Sequence, residues 1–326
     1  MQFVRATRRL PADATLLLWG STVVPTGTPP VVSVVRLEDG FLRSVGLGAD
    51  LIAPLSWVID GRGIYYGSAT ASDLEHLLQT AVFDELLLAR AAALRQQLVT
   101  QLLSKYNLDH SCRTAWQRPT NQRCVLLVTG QVESDASIQH GAPGVRTNLG
   151  LLRAAREAAP DAYIVYKPHP DVVAGLRAAG QGEDEARHWC DEILLRGSIA
   201  HMFDQVDEVH VMTSLAGFEA LLRGCRVVCH GQPFYSGYGL TQDRLPLVRR
   251  SRCLSLDELV AASLIVYPVY VDRATGAQCE VERAVSNLIS WRATGDSSNA
   301  WWRIGLRPVL RRLCRLDSVN KSERTE

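Results

Sequence analysis

The chain contains no CxxC pair. Its eight cysteines, Cys112, Cys124, Cys190, Cys225, Cys229, Cys253, Cys279 and Cys314, stand singly, which argues against a zinc site or a disulfide framework and for reduced thiols in a cytosolic compartment. No apolar run reaches membrane-spanning length, and "ATLLLW" near the start is too short and too poorly flanked for a secretory signal. Charge of one sign is missing as well: 35 Lys and Arg face 34 Asp and Glu, so nothing pulls the molecule globally toward nucleic acid. There is no internal repeat, no Walker motif, no G-x-G-x-x-G after a strand and no DxD-like acid pair for a metal. These absences leave an ordinary globular protein of the cytoplasm, with 47% hydrophobic and 21% charged residues, and with no metal or resident cofactor expected.

What is present is an alternation of short β-branched runs with longer helical patterns. Strands are predicted at 15–20, 31–36 and 57–60, followed by helix-type segments at 72–80, with Ser72 or Asp73 as N-cap, and at 84–107. Residues 109–123 are polar and turn-rich and read as a linker. The alternation then restarts with strands at 124–130, 162–166, 208–212 and 226–230 and helices at 147–160, around 183–196, and at 215–224. Strands alternating with helices imply parallel βαβ units. Two such blocks suggest two Rossmann-like domains facing a cleft, and 326 residues are enough for both.

Open α/β sheets bind ligands beyond the carboxyl ends of their strands, and there the second block is rich in polar groups. After 124–130 come Gln131, Glu133, Asp135 and Ser137; after 162–166 come Lys167 and His169 in "KPHP". The prolines hold that stretch extended, so Lys167 and His169, two apart, face one side and form a cationic pair suited to a phosphate or carboxylate. Thr213 and Ser214 open a helix whose N-terminus favours an anion, and Glu219 in its second turn is in reach of a sugar hydroxyl pair. Asp135 is the candidate reactive carboxylate, although an Asp in such a loop is more often a turn former. After 226–230 runs "HGQPFYSGYGLTQD", whose glycines and proline rule out a plain helix or strand. In the first block, "RLEDGFLRSVGLGADL" puts Glu38, Asp39, Arg43 and Ser44 at a strand end, and "SKYN" adds Lys105 and Tyr106. An Arg and a Lys near paired acids suit an anionic sugar.

Taken together, "EDGFLRSVGLG", "GIYY", "SKYNL", "GQVESDASI", "YKPHPDV", "TSLAGFEALLRG", "GQPFYSGYGLT" and "YPVYVD" run in order over residues 36–272. In this combination the chain resembles the capsule polysaccharide β-Kdo transferases of the KpsC type. Such proteins commonly carry two modules in tandem, and this chain holds one. Tyr238 stands where the resemblance leads one to expect tryptophan. The resemblance implies an α/β fold of the GT-B architecture: an acceptor-side Rossmann-like domain over 1–122, a donor domain over 123–280, and C-terminal helices with a basic tail over 281–326 that return to the first domain. It also implies CMP-β-Kdo as donor, retention at the anomeric carbon, and a Kdo-terminated lipid-linked acceptor. Lys167, His169, Thr213 and Ser214 then hold the CMP phosphate and Glu219 the ribose. Gln131, Gly231 and Pro233 belong to the donor side with Gly237 and Gly239, and Phe234 and Tyr235 pack the flank of the nucleotide. Asp135 becomes the nucleophile and Glu38 the acid/base. Asp39, Arg43 and Lys105 face the acceptor, with Arg43 or Lys105 meeting the Kdo carboxylate.

Residues 301–316, "WWRIGLRPVLRRLCRL", carry five arginines and no acid. They suit either an anionic membrane surface, which would place the protein peripherally at the inner membrane, or a closing helix with its arginines outward. Two other readings stay open: another CMP-sugar or nucleotide-sugar transferase, and a non-catalytic subunit of polysaccharide synthesis or export.

Overall fold

The structure is a computed structural model that describes residues 7, 10–11, 13–46, 52–107 and 116–294. The basic stretch 301–316 and part of the 109–123 linker lie outside the described residues. In the first half the elements are β1 (Thr15–Trp19), β2 (Ser33–Asp39), β3 (Ser56–Asp60), α1 (Asp73–Thr80) and α2 (Glu85–Thr100). The second half begins with β4 (Val125–Thr129), α3 (Ala136–Gly141), α4 (Asn148–Ala158), β5 (Tyr163–Lys167), α5 (Pro170–Val173) and β6 (Glu192–Ile193). It continues with β7 (Glu208–Val211), α6 (Leu215–Leu222), β8 (Arg226–Cys229), β9 (Gln242–Asp243) and α7 (Leu256–Val260). Last come β10 (Pro268–Val271), β11 (Gln278–Cys279) and α8 (Val281–Ala293). Among the described residues no helix is long and apolar enough to cross a membrane.

The second half builds a wholly parallel six-stranded sheet in the order β6-β5-β4-β7-β8-β9. Its central strand β4, VLLVT, is buried at every position, as a strand covered on both faces must be. On one face α3 and α4 contribute Ile138, Leu151, Leu152 and Ala155 against Leu126, Val128 and Ile164. On the other, Phe218 and Leu222 of α6 pack with Val125, Val209 and Val227. Side-chain caps start α4 and α7: Thr147 Oγ1 accepts from Gly150 N at 3.0 Å, and Ser255 with Glu258 forms a complete capping box.

The first sheet departs from the Rossmann-like expectation. Its order is β1-β2-β3-β10-β11, with only β1 and β2 parallel; β3, β10 and β11 all join antiparallel. A parallel return needs a crossover segment, usually a helix, and 40–55 supplies none among the described residues. Strands β10 and β11 fall inside the stretch expected to be the donor domain, 123–280, yet they pair in this first sheet. The cores are not separate either. One continuous buried cluster joins Phe41, Val58, Leu74 and Leu94 to Val125, Val165, Phe218, Phe234, Leu259 and Leu288. At its seam Phe41 stacks on Phe234 with ring centroids 4.5 Å apart.

Two predicted helices end differently, and both differences have tertiary causes. The helix expected to run to 107 stops at Thr100, and Leu102 and Asn107 take left-handed φ of 50° and 45°. Residues 103–107 are pulled into a turn: Asn107 Oδ1 accepts from Ser104 N at 3.0 Å, its Nδ2 donates to Ser44 O at 3.1 Å, and Arg223 donates to Leu103 O at 3.0 Å. The helix expected around 183–196 is a 3-10 segment at Glu183–His188 followed by β6. There Asp191 accepts from Ile164 N at 2.8 Å, which draws the chain alongside β5.

Candidate active site

The carboxyl ends of β4, β5 and β7 meet through backbone and side-chain bonds. Gly130 N donates to Lys167 O at 2.8 Å, and a Cβ on Gly130 would come within 2.7 Å of Tyr166 Oη, so only glycine lets β4 and β5 close this tightly. Gln131 ties β4 to β7: its Oε1 accepts from Thr213 N at 2.9 Å and its Nε2 donates to Thr213 Oγ1 at 3.0 Å. Asn148, at the start of α4, brackets the backbone of Gln131, with Oδ1 accepting from Gln131 N and Nδ2 donating to Gln131 O, both at 2.9 Å. Gln131 and Thr213 are thus girders of the edge. Asn148 was not singled out from the sequence; its signal is only its place behind the Thr147 cap.

On this braced edge Asp135 occupies the N-cap position of α3 without making a side-chain cap bond. Its side chain is exposed and has no hydrogen bond among the described residues. Glu38, near the end of β2, is bonded on both oxygens: Asp39 N donates to Oε1 at 3.0 Å and Tyr66 Oη donates to Oε2 at 3.3 Å. Burial, with the Asp39 and Asp135 charges, raises its carboxyl above the usual value, opposed by the Asp39 N–H and Lys105. Lys105 ties the two sheets electrostatically. Burial pulls its ammonium down, but nearby anionic charge, the Asp39 and Asp135 carboxylates included, favours the protonated form and holds it above the usual lysine value.

The segment that carries Tyr66 also touches the helix that Asp135 begins. Tyr66 lies parallel to His140, ring centroids 6.4 Å apart at 29°. Ser68 N and Oγ both donate to His140 O, at 3.0 and 2.7 Å. A Cβ on Gly141 would lie 2.7 Å from Tyr66 O. Residues 63–68 therefore join Glu38 to α3. The motif "GIYY" was visible in the sequence, but nothing in it announced this contact.

On the phosphate side the structure revises one expectation. His169 caps α5, its Nδ1 accepting from Asp171 N at 3.2 Å, so the proton sits on Nε2. Burial, with Lys105 and Arg177 nearby, lowers its pKa to about 4. It is therefore a neutral hydrogen-bond donor at neutral pH and not half of a cationic pair. Lys167, brought down to about 8 by burial, donates to Arg196 O at 3.3 Å. Ser214 caps α6, accepting from Ala216 N at 3.2 Å.

Other expected site residues are spent on packing. Phe234 and Tyr235 are 5% and 0% exposed and belong to the shared core, because the aromatic seam between the sheets takes their rings. Tyr238, 0% exposed, is walled in likewise. Gly231 serves a close backbone approach, its Cβ position lying 2.8 Å from Met212 O and 3.0 Å from Gly141 O, and not an opening toward a nucleotide. Pro233 is buried and its carbonyl accepts from Arg250. Arg43 pairs with Asp39 at 2.5 Å and donates to Ser44 Oγ at 3.0 Å, so its guanidinium is engaged locally. The Glu219 carboxylate accepts from Lys105 N at 2.8 Å; burial raises its pKa while this bond opposes the rise. Glu219 thus supports the turn that presents Lys105. The open depression beside Cys124 and Pro160 lies at the amino ends of β4 and β5, away from these groups.

Comparison with known proteins agrees with the motifs. Residues 29–270 match the family of capsule polysaccharide biosynthesis proteins. The capsule polysaccharide modification protein LipA of Neisseria meningitidis serogroup A is 43% identical over 311 residues, covering 93% of this chain and 44% of LipA. The lipopolysaccharide-processing protein LpsZ of Rhizobium meliloti is 39% identical over 278 residues, covering 83% of this chain and 63% of LpsZ. The chain thus spans less than half the length of LipA. Among solved structures, the Thermosulfurimonas dismutans KpsC β-Kdo 2,7 transferase superposes with TM-score 0.73 at 43% identity, covering 85% of both chains. The β-Kdo 2,4 transferase of the same KpsC gives 0.70 at 29%, covering 84% of this chain and 86% of that one. By sequence over most of its length and by fold, this chain belongs to the capsule polysaccharide biosynthesis protein family and is a structural relative of KpsC.

Proposed function

We propose that this chain is a retaining β-Kdo glycosyltransferase of GT-B architecture, taking Kdo from CMP-β-Kdo to a Kdo-terminated, lipid-linked acceptor in the cytoplasm. The observation that carries the reading is the juxtaposition of two unlike carboxylates from the two halves of the fold, the Asp135 side chain without a hydrogen bond among the described residues and Glu38 buttressed and raised, with Lys105 among them. The solved KpsC relatives named as β-Kdo transferases support the choice of sugar.

In the first step an Asp135 oxygen bonds to the anomeric carbon as the bond to CMP breaks, and the electron pair leaves with the CMP phosphate. In the second, the acceptor hydroxyl oxygen bonds to that carbon. The bond to Asp135 breaks, returning its electrons to the carboxylate, and Glu38 takes the hydroxyl proton. Two inversions give retention. Glu38 suits the second role because its raised pKa makes it a stronger base than an ordinary carboxylate. On this reading Lys167, the Nε2–H of neutral His169 and the N-terminus of α6 at Ser214 receive the phosphate, and the step needs no metal.

The test offers the protein CMP-β-Kdo, CMP-sialic acid and UDP-sugars with a Kdo-terminated acceptor, reading product linkage by NMR and the Asp135 peptide by mass spectrometry. A β-linked Kdo product and a Kdo adduct on Asp135 are expected. Transfer from another donor only, or none from CMP-β-Kdo, overturns the reading.

A further inference from the structure

Tyr65 has no role in the reading above, yet its ring is the most constrained feature of the segment that joins the two carboxylates. Three aromatic rings hold it edge-on: Phe41 at 4.9 Å, Tyr66 at 5.2 Å and Phe234 at 6.0 Å between centroids. A phenol held this way has its hydroxyl aimed before any ligand arrives. Buried or half-buried tyrosine hydroxyls ordinarily find a partner, and its neighbours do. Tyr66 bonds Glu38, Tyr235 bonds Ser214 O, and Tyr267 donates to Asp60 Oδ2 at 2.8 Å. The Tyr65 hydroxyl has no hydrogen-bond partner among the described residues. The Tyr238 hydroxyl also lacks one, but it is sealed inside the protein beneath Arg250, where no substrate reaches. Tyr65, by contrast, is only half-buried, and the charges it feels are those of the site: Lys105, Glu38 and Asp135.

We propose that the Tyr65 hydroxyl touches the substrate, donating a hydrogen bond beside the Lys105 ammonium to the carboxylate of the sugar acid carried by the donor. The inference rests on the reading above and deepens it. In a 2-keto sugar acid the carboxylate is attached to the carbon that reacts, so it must lie against the attacking group. Here that group is itself an anion, Asp135, with Glu38 close by. A second carboxylate can enter only if a cation and an oriented donor meet it there. Lys105 and Tyr65 each have Asp135 as an electrostatic neighbour. Lys105 supplies charge and Tyr65 supplies direction, and burial with the Glu38 and Asp135 charges keeps the phenol neutral and able to donate.

The test is Tyr65→Phe in the full chain, which keeps the ring and its three aromatic contacts and removes one oxygen. Affinity for CMP and for CMP-β-Kdo is measured by calorimetry, beside kcat/KM for transfer and the melting temperature. Loss of a hydrogen bond to a carboxylate predicts that CMP-β-Kdo binding and kcat/KM fall roughly 10- to 100-fold, while CMP affinity and melting temperature stay at wild-type values. Unchanged CMP-β-Kdo binding and transfer overturn the inference and leave the transferase reading intact. An equal fall for CMP and CMP-β-Kdo, or a lowered melting temperature, makes Tyr65 structural and overturns it too. If the wild type transfers nothing, the transferase reading fails, and the ratio of the two affinities still decides whether Tyr65 recognises the sugar acid.

Discussion

At the end of β2 the Glu38 carboxylate is bonded on both oxygens and raised by burial, whereas at the start of α3 the Asp135 carboxylate is exposed and makes no hydrogen bond among the described residues. The sheets beneath them differ in the same sense. The second sheet is covered by helices on both faces and ends in a braced edge, where Gln131, Asn148 and Thr213 lock β4 to β7. The first leaves apolar side chains bare, with Leu17 43%, Trp19 50% and Ile59 47% exposed, and its Glu38 carboxylate is held by the Asp39 N–H and the Tyr66 hydroxyl. A rigid edge can present a carboxylate with no bonds of its own, because the backbone already aims it. A group that must accept and release a proton is instead buried and buttressed, which shifts its pKa and fixes its angle. On the proposed reading, the contrast suits Asp135 to attack and Glu38 to proton transfer.

The largest break should come from Asp135→Ala, expected to lower kcat roughly 10,000-fold while CMP binding measured by calorimetry persists; survival of transfer would remove the nucleophile from the scheme. Glu38→Gln should cost about 100- to 1,000-fold in kcat and, unlike the Asp135 change, still allow the Kdo adduct to accumulate in mass spectra. Phe234→Ala opens the aromatic seam that holds both regions and should destabilise the protein by about 3–5 kcal/mol in denaturant titrations. If it costs nothing, the two sheets do not share a core. Tyr66→Phe is the gentlest change. Its hydroxyl stabilises the charged form of Glu38, so removing it raises the Glu38 pKa further. The acidic limb of the kcat/KM profile, where Glu38 must be unprotonated, should then move up by roughly half a pH unit, with little change above neutrality. A downward shift or none would show that Tyr66 does not act on Glu38.

Much of this was legible in the chain. Every strand of the central parallel set from β4 to β8 except the two-residue β6 was marked by its apolar run, and the polar groups at strand ends marked Asp135, Lys167 and His169 as candidates. Less legible were features whose cause lies far away in sequence. The stop of α2 at Thr100 depends on Asn107 reaching Ser44 and on Arg223 reaching Leu103, so helical propensity alone carries the pattern too far. Phe234 and Tyr235 looked like nucleotide walls because they stand in a glycine-rich loop, yet Phe41 and Phe218, from other elements, turn that loop inward. His169 looked cationic beside Lys167, and only burial together with Lys105 and Arg177 leaves it neutral.

The sequence by itself determined the parallel second sheet, the helix starts at Ser72 and Ser214, the order of the motifs and the family they belong to, because these follow from local periodicity, turn chemistry and residue type at close spacing. Only the tertiary structure decided that β10 and β11 return to the first sheet, that one core serves both halves, and that Tyr65, Tyr66, Glu38, Lys105 and Asp135 share one neighbourhood. Hydrophobic burial and electrostatics act through space, and they couple groups far apart in sequence, Glu38 with Asp135 in the site and Phe41 with Leu288 in the core.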